Sequence, residues 1–369
     1  MKIINISELW FHKGDGISEV VINHHLSFKT IGTKSILLIT NSDKLSYLPI
    51  INRSLFEKID GDSVKVGSLF NLFNILIKNR GAIFFIHGIF SFKVIFSLTV
   101  LLLTKQKYIV IPHSSLTKTA FNNNFFLKKI LYIGLIKFLL KKAEFLMFLN
   151  KEERRSSIYN GNNIEIFPNG VSPKPNTEMQ KKLRVSRNNV RMVYLGRYDV
   201  KHKGLDFLLS FAKYLKENKK DLDWELNLYG SDSKSGLLWM ADYINKWQLA
   251  NFVKINGAVY GEDKDKVLAD SDLFVLTSRY EGMPIAVLEA LRNGLPCLLT
   301  KETNMLIALR DEGIADEFFP DDFERSYLSL MKLVKEGERP RIQKKCLELI
   351  FNWYCWDSIC KKIIKRLTF

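Results

Sequence analysis

Residues 273–299 read LFVLTSRYEGMPIAVLEALRNGLPCLL. The four apolar residues Leu273–Leu276 have the length of a buried strand. A polar loop follows, Thr277-Ser278-Arg279-Tyr280, and then a helical stretch, Pro284–Asn293. Pro284 suits the first helical position, where its missing N–H is an orphan anyway. Asn293-Gly294 is a stop signal, and Cys297–Leu299 reads as the next strand. A strand, a helix and a second strand in this order form a parallel βαβ unit.

The same alternation runs through the whole chain. Strands are expected at Lys2–Ile6, Ser35–Ile39, Ala82–Ile86, Tyr108–Ile111, Phe145–Leu149 and Ile164–Ile166. A second series is expected at Met192–Leu195, Glu225–Tyr229, Val253–Asn256, Leu273–Leu276 and Cys297–Leu299. Helical stretches lie between them, among them Ile17–Phe28, Phe125–Lys142 and Leu205–Lys216. Parallel sheets covered on both faces follow from this alternation. Eleven strands are too many for one small sheet. A cluster of turn formers, Pro168-Asn169-Gly170-Val171-Ser172-Pro173-Lys174-Pro175, marks the break. The expected organisation is two doubly wound α/β domains, 1–171 and 190–350, with a C-terminal helix in 351–369. Ligands bind such sheets at the carboxyl ends of strands, so the expected site is a cleft between two facing domains, lined by the loops that follow strands.

The chain has 369 residues, 47% of them hydrophobic and 25% charged, a composition that excludes disorder. Four cysteines, Cys297, Cys346, Cys355 and Cys360, lie late and unevenly, so neither a disulfide framework nor a CxxC zinc site is expected, and a reducing compartment fits. The first residues, MKIINISELW, lack the apolar run and cleavage site of a signal peptide. Lys and Arg total 55 against 39 acids, a net charge of +16. Between Ser63 and Ala143 there are twelve Lys or Arg and no acid. A stretch both basic and apolar points to an anionic partner, nucleic acid or a membrane surface. No recognition module accompanies the charge, so nucleic acid is not expected. The run Ala82–Leu103 is long enough to cross a bilayer, but Lys93 sits inside it. It reads instead as a strand, a turn at His87-Gly88 and a core helix ending before Lys105.

Several loops after strands carry candidate chemistry. Glu281 lies at the mouth of the Pro284–Asn293 helix and Glu289 within it. Carboxylates accept from hydroxyls while the helix N–H groups face phosphate, which makes a grip for a phosphorylated polyol. Glu289 is surrounded by Ala286, Val287, Leu288 and Ala290, and an acid in an apolar helix usually has a partner. The loop after Met192–Leu195 reads GRYDVKHKGLD and puts Arg197 and Lys203 six residues apart, a fork and a point charge suited to a diphosphate. The loop His12-Lys13-Gly14-Asp15-Gly16-Ile17-Ser18-Glu19 lets backbone approach an anion at the start of the first helix. His87 and His113 both stand at strand ends. Asp270-Ser271-Asp272 reads as helix–strand punctuation rather than a metal pair, and no metal site is expected.

These segments resemble the GT4 family of retaining glycosyltransferases. The resemblance rests on YEGMPIAVLEA with Glu281 and Glu289, LGRYDVKHKGLDFLL, Phe167-Pro-Asn-Gly-Val171, the early Gly-Asp-Gly-Ile-Ser loop, IPHSSL, and Tyr354-Cys-Trp-Asp-Ser-Ile-Cys360 near the C-terminus. It implies a GT-B fold and a nucleotide-diphosphate sugar as donor substrate, with no resident cofactor and no metal. Glu289 would hold the ribose and Glu281 the donor sugar. Backbone around Gly282, Met283, Pro284, Ile285, Val287 and Leu288 would line sugar and phosphate. Arg197 and Lys203 would hold the diphosphate, approached by Gly16, and His113 would stand near the reacting carbon. The last helix would cross back to the first domain. Three departures stand out: Gly-Asp-Gly in the first loop, Ser114 after the histidine, and Thr300-Lys-Glu-Thr-Asn304 in place of a glycine-rich turn.

The expected reaction moves a sugar to a hydroxyl of a glycan or polyprenyl-linked saccharide acceptor, in surface polysaccharide, O-antigen or lipopolysaccharide synthesis. The expected location is cytoplasmic and peripheral, on an anionic membrane face. An epimerase or hydrolase on the same fold, or a non-enzymatic basic membrane-binding module, are the alternatives.

Overall fold

The computed structural model describes residues 1–9, 16–41, 59, 61, 63–118, 121, 129–172 and 189–368. The chain divides into two compact units, Met1–Asn169 with Trp356–Phe369, and Gly170–Cys355.

The first unit is built on seven strands: β1 Lys2–Ser7, β2 Lys34–Ile39, β3 Ser63–Lys65, β4 Ile83–His87, β5 Tyr108–Ile111, β6 Phe145–Phe148 and β7 Ile164–Ile166. They lie in the order β3-β2-β1-β4-β5-β6-β7, and every pair is parallel. The second unit holds β8 Asn189–Leu195, β9 Asp223–Tyr229, β10 Val253–Asn256, β11 Leu273–Leu276, β12 Cys297–Leu299 and β13 Ala315–Glu317. Their order is β10-β9-β8-β11-β12-β13, again all parallel. Both sheets are doubly wound, and in each the strand order reverses at one place: between β1 and β4, and between β8 and β11.

The central strands are buried on both faces, as expected of a parallel sheet under helices; every residue of β4, β5, β6 and β11 is buried. Ala82–Leu103 resolves into β4, a turn at Gly88, and a helix Phe92–Leu103 that packs on the Leu69–Lys78 helix. No helix among the described residues is long and apolar enough to cross a membrane. Among the described residues thirteen strands replace the eleven read from sequence. The two additions, β3 and β13, are three-residue edge strands whose placement comes from pairing rather than apolar pattern.

The stretch expected as one helix over Phe125–Lys142 is partly outside the described residues. The described part contains a π-turn at Tyr132–Ile136, then Lys137–Lys141. The last helix, Trp356–Thr368, packs on the Gly16–Thr30 helix of the first unit, and Arg366 meets Glu165 at 2.5 Å. The four cysteines are buried free thiols.

Candidate active site

In the second unit the candidate side chains stand on two loops that leave the sheet beside each other. One follows β8 and the other follows β11, the pair that flanks the switch in strand order. A crevice outside the carboxyl ends of strands at a switch point is where open α/β sheets hold ligands.

The first loop is shaped by Asp199 and Gly204. The Asp199 carboxylate caps a turn, Val200–Lys203, by accepting from the His202 N–H at 3.1 Å, and Lys234 meets it at 2.8 Å. Burial opposes the Asp199 charge, but Lys234 and the capped N–H outweigh it and hold the carboxyl below its ordinary range. Gly204 then takes φ +63°, a left-handed turn that starts the Leu205–Asn218 helix. The second loop is stitched onto the first. Arg279 grips Asp206 through two hydrogen bonds of 2.8 Å, donates to the Lys201 carbonyl at 2.8 Å, and lies 3.8 Å over the Phe207 ring. The His202 Nε2–H donates to the Tyr280 carbonyl at 3.0 Å, and the two rings stack at 4.0 Å. The Thr277 hydroxyl donates to the Gly204 carbonyl at 2.9 Å.

This stitching brings Lys203 onto Glu281. Their Nζ and Oε1 are 2.5 Å apart, with side chains 14% and 11% exposed, and the Ser278 hydroxyl donates to the same oxygen at 2.6 Å. The Glu281 backbone is held from a third side. Its N–H donates to the Glu302 carbonyl at 3.0 Å and its carbonyl accepts from Asn304 Nδ2 at 2.5 Å. Asn304 sits at φ +60°, the left-handed position closing the Lys301–Thr303 turn. The departure at Thr300–Asn304 is therefore a turn closed by asparagine, a residue that tolerates this conformation.

Glu289 is buried inside the Ile285–Arg292 helix, and its partner is Lys264, at 2.6 Å. The acid in the apolar helix does have a cation beside it. Arg292 and Asn293 both reach Asp265, next to Lys264, at 2.7 and 3.1 Å, so the helix is tied to the Gly261–Asp270 helix over more than one turn. Arg197 is exposed, and its guanidinium makes no hydrogen bond or ion pair with the described residues. The Tyr194 hydroxyl donates to the Arg197 carbonyl at 2.9 Å. Burial, and then the nearby Glu281 carboxylate, push the Tyr194 phenol well up.

Two expectations about the helix head need correction. Pro284 is not the first helical residue: with ψ 118° it is the extended cap before Ile285. The Val287 N–H is not open either, because it bonds the Pro284 carbonyl at 3.1 Å, and the side chains of Val287 and Leu288 are fully buried. The N–H groups of Ile285 and Ala286, just before, have no backbone acceptor among the described residues, as the first turn of any helix leaves them. Met283 is buried and Gly282 half-buried beside them. Asp272 accepts from the Arg191 N–H at 2.9 Å and from Arg339 at 3.1 Å, which makes Asp270-Ser271-Asp272 structural punctuation.

In the first unit, Gly16 opens the first helix, and His12, Gly14 and Asp15 lie outside the described residues. His87 ends β4 and His113 follows β5. Their rings are joined by a 3.0 Å Nδ1···Nε2 contact. His113 and Ser114 both have positive φ, +48° and +62°. The buried Glu153 carboxylate braces this turn, accepting from the Ser114 N–H at 2.6 Å and the Leu149 N–H at 2.7 Å.

Sequence reading missed Lys264, Arg279, Ser278, Asn304 and Glu153. Only the last two left a trace: an asparagine ending a polar turn, and a glutamate three residues after Asn150 in a helix start, where the Asn150 side chain caps its N–H at 2.7 Å.

Residues 189–331 match the family Glycosyl transferases group 1. The UDP-Gal:alpha-D-GlcNAc-diphosphoundecaprenol alpha-1,3-galactosyltransferase of Escherichia coli is 28% identical over 211 residues, 55% of this chain and 52% of that protein. The chain spans about half the length of the curated relatives it matches first. Among solved structures, Anabaena Alr3699/HepE in complex with UDP superposes with a TM-score of 0.77 at 13% identity, covering 100% of both chains. A TarM mutant of S. aureus, in complex with fondaparinux, alpha-GlcNAc-glycerol and UDP, gives 0.73 at 14% identity, covering 99% of each. The two doubly wound sheets have the GT-B fold, and residues 189–331 of the second unit match the glycosyltransferase family of group 1.

Proposed function

We propose that the protein is a retaining glycosyltransferase that moves a sugar from a nucleotide-diphosphate donor to a hydroxyl of a glycan or polyprenyl-linked saccharide. The observation that carries this reading is the Lys203–Glu281 pair at the switch point, one loop from the open head of the Ile285–Arg292 helix.

A leaving diphosphate gains negative charge as the glycosidic bond breaks. Lys203, Arg197 and the helix head supply positive potential there, and preorganised charge of this kind is worth several kcal/mol in a barrier. Glu281 takes hydroxyls of the donor sugar and Glu289 those of the ribose, as acceptor-only groups already held by cations. His113 takes the sugar end of the substrate. Because fixed cations and backbone N–H groups carry the phosphate charge, the reaction proceeds without a metal, and chelator leaves its rate unchanged. No carboxylate in the His113–Ser114 turn is placed as a nucleophile. Glu153 is occupied by two N–H groups, so departure and attack share one face of the sugar.

A lipid-linked acceptor is supported by the first unit. Its adjoining helices expose Phe70, Phe92 and Leu103, each more than 70% accessible, with Phe73, Ile133 and Phe138 also exposed. Lys78, Lys105, Lys129 and Lys141 lie on the same segments and are exposed as well. Apolar side chains among lysines suit an anionic membrane face on the cytoplasmic side. The similarity to the undecaprenol-linked galactosyltransferase of Escherichia coli supports the same acceptor class and a place in surface polysaccharide synthesis.

The test is incubation of the full chain with a panel of UDP-sugars and a polyprenyl diphosphate-linked saccharide, with and without chelator. Lipid extended by one sugar in α-linkage is expected. Isomerised donor without acceptor would instead identify an epimerase, and free sugar alone a hydrolase. Flotation with anionic vesicles that salt abolishes is expected; no flotation at low salt removes the membrane contact.

A further inference from the structure

Beneath His113 a chain of hydrogen bonds runs into the interior of the first unit. His113 Nε2 lies 3.0 Å from His87 Nδ1. The two ring planes are 17° apart, close enough to one plane for an N–H···N bond. His87 Nε2 lies 3.2 Å from Asn5 Oδ1. Asn5 Nδ2 donates to Ser35 Oγ at 3.1 Å, and Ser35 Oγ meets His25 Nδ1 at 2.8 Å. Asn5, Ser35, His25 and His87 are all buried.

The direction of each bond follows from what the atoms can do. A carboxamide oxygen only accepts, so His87 Nε2 carries its proton. Burial, and then the neighbouring His113 and His24 rings, hold the His87 imidazole well below its ordinary pKa, so the ring is neutral and its Nδ1 is a lone pair. The proton in the His87–His113 bond is therefore on His113 Nε2. Burial lowers His113 itself to about 4, so it too is neutral and its single proton is that one. Its Nδ1 is left bare.

We propose that Asn5 and His87 are positioning residues that fix His113 in its Nε2–H tautomer and so present Nδ1 as a standing acceptor for a hydroxyl of the bound saccharide. The saccharide part rests on the reading above; the tautomer part does not. The backbone supports the same conclusion. Two consecutive left-handed residues, His113 and Ser114, cost free energy that Glu153 offsets from below, and strain of this kind persists where surrounding structure fixes a side chain's direction. A bare Nδ1 takes a hydroxyl as donor, whereas the other tautomer reverses that bond and turns the hydroxyl's proton away from the ring.

The experiment is long-range proton–nitrogen correlation on the full chain labelled at histidine nitrogen, near neutral pH. The chain has six histidines, and loss of one ring's signals in His113→Gln assigns the resonances. The expected result in the unaltered chain is a protonated Nε2 and a bare Nδ1 on His113. Asn5→Leu fills the same space without an acceptor and is expected to give a mixture of the two tautomers. Its sugar-transfer rate falls roughly tenfold, the worth of one misplaced hydrogen bond, while UDP affinity is unchanged. An Nδ1–H tautomer in the unaltered chain, or an undiminished Nε2–H signal in Asn5→Leu, overturns the proposal. If Asn5→Leu does not fold, the unaltered chain alone decides. The expected tautomer in a chain that transfers no sugar removes the saccharide role and leaves the relay; the opposite tautomer in a chain that transfers sugar removes the relay alone.

Discussion

Gly204→Ala tests whether the two loops of the second unit are set against each other as closely as the site requires. The residue is left-handed, φ +63°, and a Cβ there would fall 1.9 Å from the Thr277 carbonyl oxygen and 2.8 Å from its carbon. Carbon and carbonyl oxygen ordinarily approach no closer than about 3.3 Å, so the loops must part by about 1.4 Å, or Gly204 must leave its conformation. A left-handed alanine costs about 1–2 kcal/mol, and forcing a methyl into packed backbone adds about 1–3 kcal/mol. Gly313 is the control. It has φ +71° in the same unit, and its added Cβ would meet nothing within 4 Å. Gly313→Ala therefore carries the conformational term alone. In a unit of this size each kcal/mol moves Tm by about 2–4 °C. Calorimetry should show a loss of about 2–8 °C for Gly313→Ala and roughly twice that for Gly204→Ala. The second readout is turnover. Parting the loops pulls Lys203 from Glu281 and breaks the Thr277–Gly204 hydrogen bond. A misplacement near 1 Å costs about 10²-fold in rate, whereas Gly313→Ala should turn over normally. Equal Tm losses, or unchanged turnover in Gly204→Ala, would refute the argument.

The first unit and the loop stitching give three more expectations. His24 is fully buried among Phe28, Phe85 and Trp356, and neither ring nitrogen has a hydrogen-bond partner among the described residues. His24→Phe should raise Tm, since an unpaired buried polar group costs about 1–3 kcal/mol. Burial, then His113 and His25, lower the His24 pKa from 6.5 to about 3. Between those values the unfolded chain binds a proton that the native ring refuses, so stability is lost as pH drops, by up to about 1.4 kcal/mol per unit. The gap between His24→Phe and the unaltered chain should widen from pH 6.5 to pH 4; parallel Tm–pH curves would disprove it. Glu153→Gln replaces one acceptor oxygen with a donor, so either the Ser114 or the Leu149 N–H faces an NH₂ group. A cost of about 1–3 kcal/mol is expected in thermal melts, and a melt identical to the unaltered chain's would show that the carboxylate does not brace the turn. Arg279→Lys loses the paired hydrogen bonds to Asp206 and the stacking on Phe207. It should lower Tm by a few degrees at about 1–2 kcal/mol, against no change if the contact is only a surface ion pair.

What was legible in the sequence was whatever depends on neighbours along the chain. Tyr108–Ile111, Ile164–Ile166, Val253–Asn256, Leu273–Leu276 and Cys297–Leu299 have the bounds their apolar runs and flanking turn residues mark. The doubly wound parallel sheets follow from strand–helix alternation alone. The strands that escaped notice, Ser63–Lys65 and Ala315–Glu317, are short edge strands whose residues, Ala315 apart, are half-exposed or exposed, and only a partner strand makes them strands. The candidate site divides the same way. Glu281, Arg197 and Lys203 stand out as candidates because they lie in loops after strands, and Glu289 because it is an acid in an apolar helix. Lys264 sits 25 residues before Glu289, Asn304 23 residues after Glu281, and Asn5 82 residues before His87. No local pattern joins these pairs. What joins them is strand order. β8 pairs with β11, although β9 and β10 intervene in sequence, so Lys203 can reach Glu281 across 78 residues. Likewise β1 pairs with β4, so Asn5 reaches His87. Each reversal of strand order sets side by side two loops far apart in the chain, and it is there that a cation meets a carboxylate and an amide meets an imidazole. A reading of one chain can name the loops that carry chemistry, but their pairing is a property of the sheet.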